Sequence, residues 1–270
     1  VLKPMNCPHH TQIFDAFSYS YRDMPVRFFE PTVVYRDEKP GQLTGLSRVR
    51  AITQDDGHIF CRVDQIGQEV ATMIEIILKF YQTLGMDANY WVSLSVRGDD
   101  MSKYLGSSQA WDIAEKALEK SANENKLPFK RIEGEAAFYG PKLDFMFQDA
   151  LGREQQLATV QCDFNLPERF DLSYVNEKGE KERPVMIHRA ISGSLERFMS
   201  VLIEHFAGKF PLWLSPVQVK IVTVADRHEE FARQLESKLC AVDIRVEVDN
   251  RRETIGKKIR EAQLSHVNYI

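Results

Sequence analysis

The segment from Arg48 to Phe60, Arg-Val-Arg-Ala-Ile-Thr-Gln-Asp-Asp-Gly-His-Ile-Phe, sets two arginines, two carboxylates, an amide and a histidine among β-branched residues. Groups able to neutralise phosphate or carboxylate, gathered this densely on a β-prone stretch, mark an active-site strand. Just upstream, Tyr35 to Gly45 carries Arg36 and Glu38 and ends in glycines. The two segments therefore read as adjacent strands joined by a glycine-bearing loop. Alternation along such strands would send their charges into one cleft.

Elements that can position this strand follow from the flanking pattern. Ile66, Val70, Met73, Ile74, Ile77, Leu78, Tyr81 and Leu84 recur at helical spacing, with Asp64 as N-cap and Gly85 as the C′ stop. Further helices are expected over residues 108–125 and from Ser192 to His205, the latter closing at Gly208. Between them lie short β-rich runs at 90–96, 129–132, 143–147, 156–164, 172–175 and 185–188. Turn signals such as Asp149-Ala150-Leu151-Gly152 and Glu177-Lys178-Gly179-Glu180 separate several of them, which favours an antiparallel sheet. After Pro211-Leu212-Trp213-Leu214-Ser215-Pro216 the pattern changes to strand 217–224, helix 227–240, strand 244–248, helix 253–265 and an apolar start at Val267. That alternation predicts a parallel α/β domain. The expected organisation is thus α+β: a catalytic domain over residues 1–212, then a truncated α/β domain over 213–270. Two strands and a stub do not finish a parallel sheet. The opening Val1-Leu2-Lys3-Pro4 has neither an initiator methionine nor a signal-peptide layout. Both ends read as those of a piece of a longer chain.

At 270 residues, 43% hydrophobic and 27% charged, the composition is that of a well-cored globular protein. A formal charge of −4 excludes a diffuse basic coat but leaves room for a local basic groove. Cysteines at 7, 61, 162 and 240 form no Cys-x-x-Cys pair and are too sparse for a disulfide scaffold, which fits a reducing cytoplasm. No apolar run approaches the ~20 residues of a membrane span.

Four stretches sharpen the reading: Leu2-Lys3-Pro4-Met5-Asn6-Cys7-Pro8, Thr53-Gln54-Asp55-Asp56-Gly57-His58, Phe138-Tyr139-Gly140-Pro141-Lys142 and Val185-Met186-Ile187-His188-Arg189-Ala190. They resemble the threonyl-tRNA synthetase family of class II aminoacyl-tRNA synthetases, in that family's order and near its spacing, across essentially the whole chain. Arg36, Glu38 and Arg48 resemble its motif 2, and Arg197 in Gly193-Ser194-Leu195-Glu196-Arg197-Phe198 its motif 3. Tyr21-Arg22-Asp23-Met24-Pro25-Val26-Arg27 resembles motif 1, whose proline sits at a homodimer interface.

The resemblance implies a threonine–tRNA ligase that uses ATP with Mg²⁺, forms threonyl-adenylate and charges the 3′ end of tRNA(Thr). Catalysis at the ATP α-phosphate is largely positioning and charge neutralisation. A planar guanidinium suits that task, so Arg36 and Arg197 are the implied catalytic residues. Glu38, Arg48, Lys142 and Gln156 match further ATP contacts, and Met5, Gln54, Asp56, Tyr139 and Gln161 match threonine contacts. Cys7, His58 and His188 lie 51 and 130 residues apart, which matches no short zinc motif. In this family the residues at those positions hold one Zn²⁺ per chain, and three protein ligands leave it open to substrate. A hydrophobic pocket separates near-isosteres such as threonine and valine by only ~10²-fold, whereas an ion that binds the hydroxyl does better. Serine keeps the hydroxyl, and no editing site is recognisable.

The chain departs from the family at two places. Cys7-Pro8-His9-His10 stands where the family usually reads Cys-Pro-Gly-His, which raises His9 as an additional ligand against a tolerated turn substitution. Ala51-Ile52 stands where it has Gly-Phe, replacing a ring that stacks on adenine. Asn250, Arg251, Arg252, Lys257, Lys258 and Arg260 form a basic face either toward tRNA or simply toward solvent. Two rival readings stay open: a tRNA-binding or regulatory paralogue without aminoacylation, and another class II synthetase such as a prolyl or seryl enzyme.

Overall fold

The computed structural model describes residues 2–149 and 151–270. Two compact units divide at Val201/Leu202. The first contains, in order, α1 (Cys7–Asp15), β1 (Val26–Tyr35), β2 (Ala51–Cys61), α2 (Ile66–Thr83), β3 (Tyr90–Val96), α3 (Ser108–Glu124), β4 (Phe129–Glu133), β5 (Lys142–Gln148), β6 (Glu154–Asp163), α4 (Asn165–Arg169), β7 (Tyr174–Val175), β8 (Lys181–Glu182) and β9 (Val185–Ala190). Helix α5 (Leu195–Phe206) follows. Seven strands form one sheet in the order β1-β2-β9-β6-β5-β3-β4, antiparallel throughout except for β3 beside β4. The expected antiparallel sheet is thereby borne out.

Register decides which side chains share a face, because cross-strand partners point the same way and successive residues alternate. Phe28, His58, His188, Gln161, Lys142 and Ser95 are partners on successive strands from β1 to β3. This row defines the polar face. The alternate residues Leu143, Phe145 and Phe147 are buried against the other side, where Tyr81 of α2 stacks on Phe147 at 3.9 Å between ring centroids. Helix α2 buries Ile66, Val70, Met73, Ile74, Ile77 and Tyr81, the stripe its periodicity predicts. At one end of the polar face Phe14 of α1 stacks on Phe60 at 4.5 Å, in a core cluster with Met24, Leu172, Tyr174 and Met186.

Several boundaries differ from the sequence reading, each for a local reason. The strand before Arg48 is Val26–Tyr35, so Arg36 and Glu38 sit on the connecting loop rather than on a strand. Asp64 does not cap α2; it pairs with Arg62 inside a short 3₁₀ turn, and Gln65 takes the N-cap position. Gly85 does end the helix at φ +66°. Helix α5 begins at Leu195 rather than Ser192, because residues 191–193 are held in a turn by Asp55.

The second unit holds β10 (Val219–Val222), α6 (Glu229–Cys240), β11 (Val246–Asp249) and α7 (Ile255–Leu264). Strands β10 and β11 are parallel, and Tyr269 bridges to Val219 in parallel, as the alternation predicts.

Candidate active site

The sheet brings together residues that are remote in sequence. Cys7 opens α1, His58 lies on β2 and His188 on β9, and their ligand atoms all fall within 4.8 Å of one another. Nε2 of His188 meets Asp163 Oδ2 at 2.8 Å, which leaves its Nδ1 for the cluster. Burial disfavours the His188 cation, but hydrogen bonding to Asp163 and Cys7 outweighs this and lifts it to about 10. His58 is fully buried; that burial, then the adjoining His188 and His10, hold it neutral. Its Nε2 has no hydrogen-bond partner among the described residues, and Asp56 Oδ1 stays 3.7 Å away. A buried imidazole nitrogen without a partner, beside a thiol and a second imidazole, is the N/S donor set that suits zinc. His9 is exposed and stands outside the group.

Next to it lies a polar pair. The Tyr139 hydroxyl donates to Gln161 Oε1 at 3.2 Å, while Gln161 Nε2 is buried and unpaired. Burial, then the nearby Asp163 and Cys7, push the Tyr139 phenol up to about 12, so it stays a donor. Gly140 makes this approach possible: a Cβ there would sit 1.7 Å from the Cys162 carbonyl oxygen. Asp56 shares its face of β2 with Gln54 and His58, and burial raises its carboxyl. Met5 is 51% exposed and is not drawn into this group.

Three guanidinium groups occupy the other end. Arg197 on α5 donates through Nε to Ser47 O at 3.0 Å and through Nη1 to Gln156 O at 3.3 Å. Burial and the nearby Arg36 and Arg48 lower its pKa, with Glu38 opposing them. Arg48 pairs with Glu38 at 2.9 Å, whereas the exposed Arg36 guanidinium has no ion-pair partner among the described residues. Three like charges against one carboxylate attract a polyanion.

With that geometry established, the kinship is direct. A family model for the tRNA synthetase class II core domain (G, H, P, S and T) matches residues 1–206, and one for an anticodon-binding domain matches residues 218–270. The chain belongs to the class II tRNA synthetase core family. It is 51% identical to a threonine–tRNA ligase of Porphyromonas gingivalis over 271 aligned positions, covering 100% of this chain and 41% of that one. A Thermus thermophilus threonine–tRNA ligase is 50% identical, with the same coverages. A solved structure described as the RNA-binding domain of threonyl-tRNA synthetase from Cryptosporidium parvum superposes with TM-score 0.91 at 41% identity, over 99% of this chain and 67% of that one. The chain thus spans 41% of the length of these curated relatives.

Within this class II core, the residues that hold the site in shape escape sequence reasoning. Asp55 accepts the amides of Ile191, Ser192 and Gly193 at 2.7, 3.2 and 2.9 Å, and Glu196 accepts the Thr53 amide at 3.0 Å. Asp144 receives Lys142 Nζ at 2.5 Å, Gln156 Nε2 at 2.8 Å and Thr159 Oγ1 at 2.8 Å. Gln156 reaches Asp144 only because the β5–β6 register slips after Phe145, so that Met146 pairs with Gln156 and Leu157 is bulged. Without the bulge Gln156 and Thr159 would face opposite sides. Neither the bulge nor the three carboxylates has a signal in the sequence beyond residue type.

The basic face of the second unit needs correction. Lys258 is 2% exposed and donates to Thr223 O, Thr223 Oγ1 and Asp249 O, so it clamps the ends of β10 and β11 instead of facing solvent. Arg251 is tied to Asp249 and Glu261, and Lys257 to Glu253. Arg252 is exposed but faces Asp226 at 3.3 Å. Among the described residues no helix is long and apolar enough to cross a membrane.

Proposed function

We propose that this chain is the catalytic core, residues 1–212, and the first part of the anticodon-binding domain, residues 213–270, of a cytoplasmic, homodimeric threonine–tRNA ligase. The observation that carries this reading is the meeting of Cys7, His58 and His188 on the polar sheet face that also bears Gln161 and Lys142. Cys7, His58 and His188 would hold one Zn²⁺, which would supply a Lewis acid able to favour a hydroxyl-bearing side chain over that of valine.

The protein groups divide the remaining work. Asp56 pairs with the substrate ammonium, and Tyr139, Gln161, Gln54 and Met5 shape the pocket around the side chain. Arg36, with its guanidinium free among the described residues, holds the threonine carboxylate against the α-phosphate of ATP, brought as its Mg²⁺ complex. A carboxylate oxygen then bonds to the α-phosphorus while the bond to the β-phosphate bridge breaks and pyrophosphate leaves. Arg197 and Arg48 stabilise the phosphate charge, and Glu38, Lys142 and Gln156 fix the nucleotide. A terminal ribose hydroxyl of tRNA(Thr) next attacks the carbonyl carbon, loses its proton and displaces AMP.

The test is ATP–pyrophosphate exchange on the purified protein with threonine, serine and valine in parallel, together with zinc analysis. Exchange is expected with threonine, weaker with serine and absent with valine, at one zinc per chain. Zinc-free protein without threonine-dependent exchange would overturn the proposal.

A further inference from the structure

The turn that carries Tyr139 joins β4 to β5 and is tied down on both sides of that residue. After it, Gly140 N donates to Ala137 O at 3.2 Å and Cys162 N donates to Pro141 O at 3.1 Å. Before it, the Phe138 carbonyl accepts the Leu105 amide at 2.8 Å. The Phe138 ring does not anchor the turn in a core: it is 54% exposed and stands edge-on to Tyr139, 4.9 Å between centroids. The Leu105 peptide therefore locates the residue directly ahead of Tyr139.

Leu105 is not placed by its own packing either. Its side chain is 36% exposed, on the loop between a 3₁₀ turn at Met101–Lys103 and α3. Its carbonyl instead accepts the indole N–H of Trp111 at 2.7 Å. Trp111 is 1% exposed near the start of α3, with Tyr104 set T-shaped against it at 5.1 Å and Gly98 N donating to the Tyr104 hydroxyl at 3.0 Å. Both polar groups of one loop peptide are thus engaged, the carbonyl by a helix and the amide by the turn. A peptide held in this way passes the position of a rigid element to the turn it supports.

Tyr139 in turn donates to Gln161 Oε1 at 3.2 Å, and its ring centroid lies 6.0 Å from that of His188. We infer that Trp111 is a positioning residue for the amino-acid end of the site, acting through Leu105 and Phe138 to place the Tyr139 hydroxyl. The inference rests on the reading of Tyr139 as part of the threonine site. Arg36, Arg48 and Arg197 stand on other elements, the loop between β1 and β2 and helix α5. Loss of the indole N–H should therefore loosen threonine and leave ATP alone.

The test is ATP–pyrophosphate exchange on the full chain for wild type, Trp111→Phe, Tyr139→Phe and the double variant, with thermal melts alongside. Phenylalanine keeps a ring beside Tyr104 and removes the N–H. Trp111→Phe is expected to raise KM for threonine about two- to tenfold, the range a single neutral hydrogen bond supports, with kcat and KM for ATP unchanged. Tyr139→Phe should also raise KM for threonine, and adding Trp111→Phe should raise it no further, because residues that act through one hydroxyl do not add. A benzothienylalanine at position 111 keeps the bicyclic shape, puts sulfur in place of the N–H and should give the same rise, which separates the hydrogen bond from packing. An unchanged KM for threonine in either replacement, equal rises in KM for threonine and for ATP, or additive effects in the double variant would each overturn the inference. Wild type without threonine-dependent exchange is a different result, which removes the threonine reading and the inference with it.

Discussion

Asp55 Oδ1 accepts the amide of Gly193 at 2.9 Å, and through this bond strand β2 fixes the turn from which α5 carries Arg197 to the site. Two further amides end on the same carboxylate, so three backbone donors that a tight turn would otherwise leave unpaired are satisfied at once. Gly193 itself is at φ +72°, and a Cβ on it would lie 2.4 Å from the carbonyl oxygen of the bulged Leu157. Turn, bulge and strand are therefore a single mechanical unit.

Substitutions in that unit should show this. Gly193→Ala combines a left-handed backbone with a backbone clash and is expected to destabilise the protein by about 1–3 kcal/mol or more. Asp55→Asn puts an amide donor among backbone donors and should cost about 1.5–3 kcal/mol, as loss of hydrogen bonds to a charged group does. Thermal melts measure both. Exchange kinetics should also show a raised KM for ATP, since Arg197 loses its fixed starting point. Unchanged melting of Gly193→Ala would show that the turn gives way without strain.

Asp144 is a second support, at the end of the site where the nucleotide is proposed to bind. It is buried, with Lys142, Gln156 and Thr159 all on its two oxygens. Removing one partner of a buried pair costs ~3–5 kcal/mol, and partial exposure of Lys142 argues for the low end. Asp144→Ala is expected to lose about 3 kcal/mol in urea unfolding, and Asp144→Asn less, because an amide oxygen still accepts from Gln156 and Thr159. Equal losses in the two variants would mean that charge alone matters.

The contrast between these carboxylates and the motif residues shows what was legible. Arg36, Arg197, Cys7, His58 and His188 stand in stretches with recognisable order, and α2 and the C-terminal alternation follow from periodicity. Asp55 and Asp144 act through cross-strand register and a bulge, which no linear pattern specifies. A one-residue slip moves a side chain to the other face, so the pairing of Gln156 with Asp144 depends on the bulge at Leu157. The burial of Lys258 escapes the sequence for a related reason: helical spacing distributes charges around α7 but does not tell which one points at the sheet.

Ile52 gives a prediction on substrate affinity. It pairs with Val34, shares the polar face with Gln54, Asp56 and His58, and is 8% exposed. On the proposed function, an aliphatic side chain there presents an apolar surface to the adenine base without the stacking of a ring, worth ~1–3 kcal/mol per base. Ile52→Phe is expected to tighten ATP about fivefold or more by equilibrium binding, the lower end of that range. ATP affinity that stays level or falls, with an unchanged melting temperature, would remove position 52 from the adenine site.

In the second unit, pH dependence follows from Asp249. Hydrogen bonding from the Arg251 side chain is the main cause that holds its carboxyl down at about 2, with the Arg251 amide adding to it and burial opposing. A carboxylate depressed in the folded state adds stability at pH values above its ordinary range, near 4, and loses that stability as pH falls toward 2. Wild type should therefore be more stable than Asp249→Asn at neutral pH, and the gap between their thermal melts should close between about pH 4 and pH 2. Because Asp249 also receives Arg251 at the junction where Lys258 clamps β10 and β11, Arg251→Ala should reduce the same gap without abolishing it. A gap that persists unchanged down to pH 2 would assign the stabilisation to packing around Asp249 rather than to its charge.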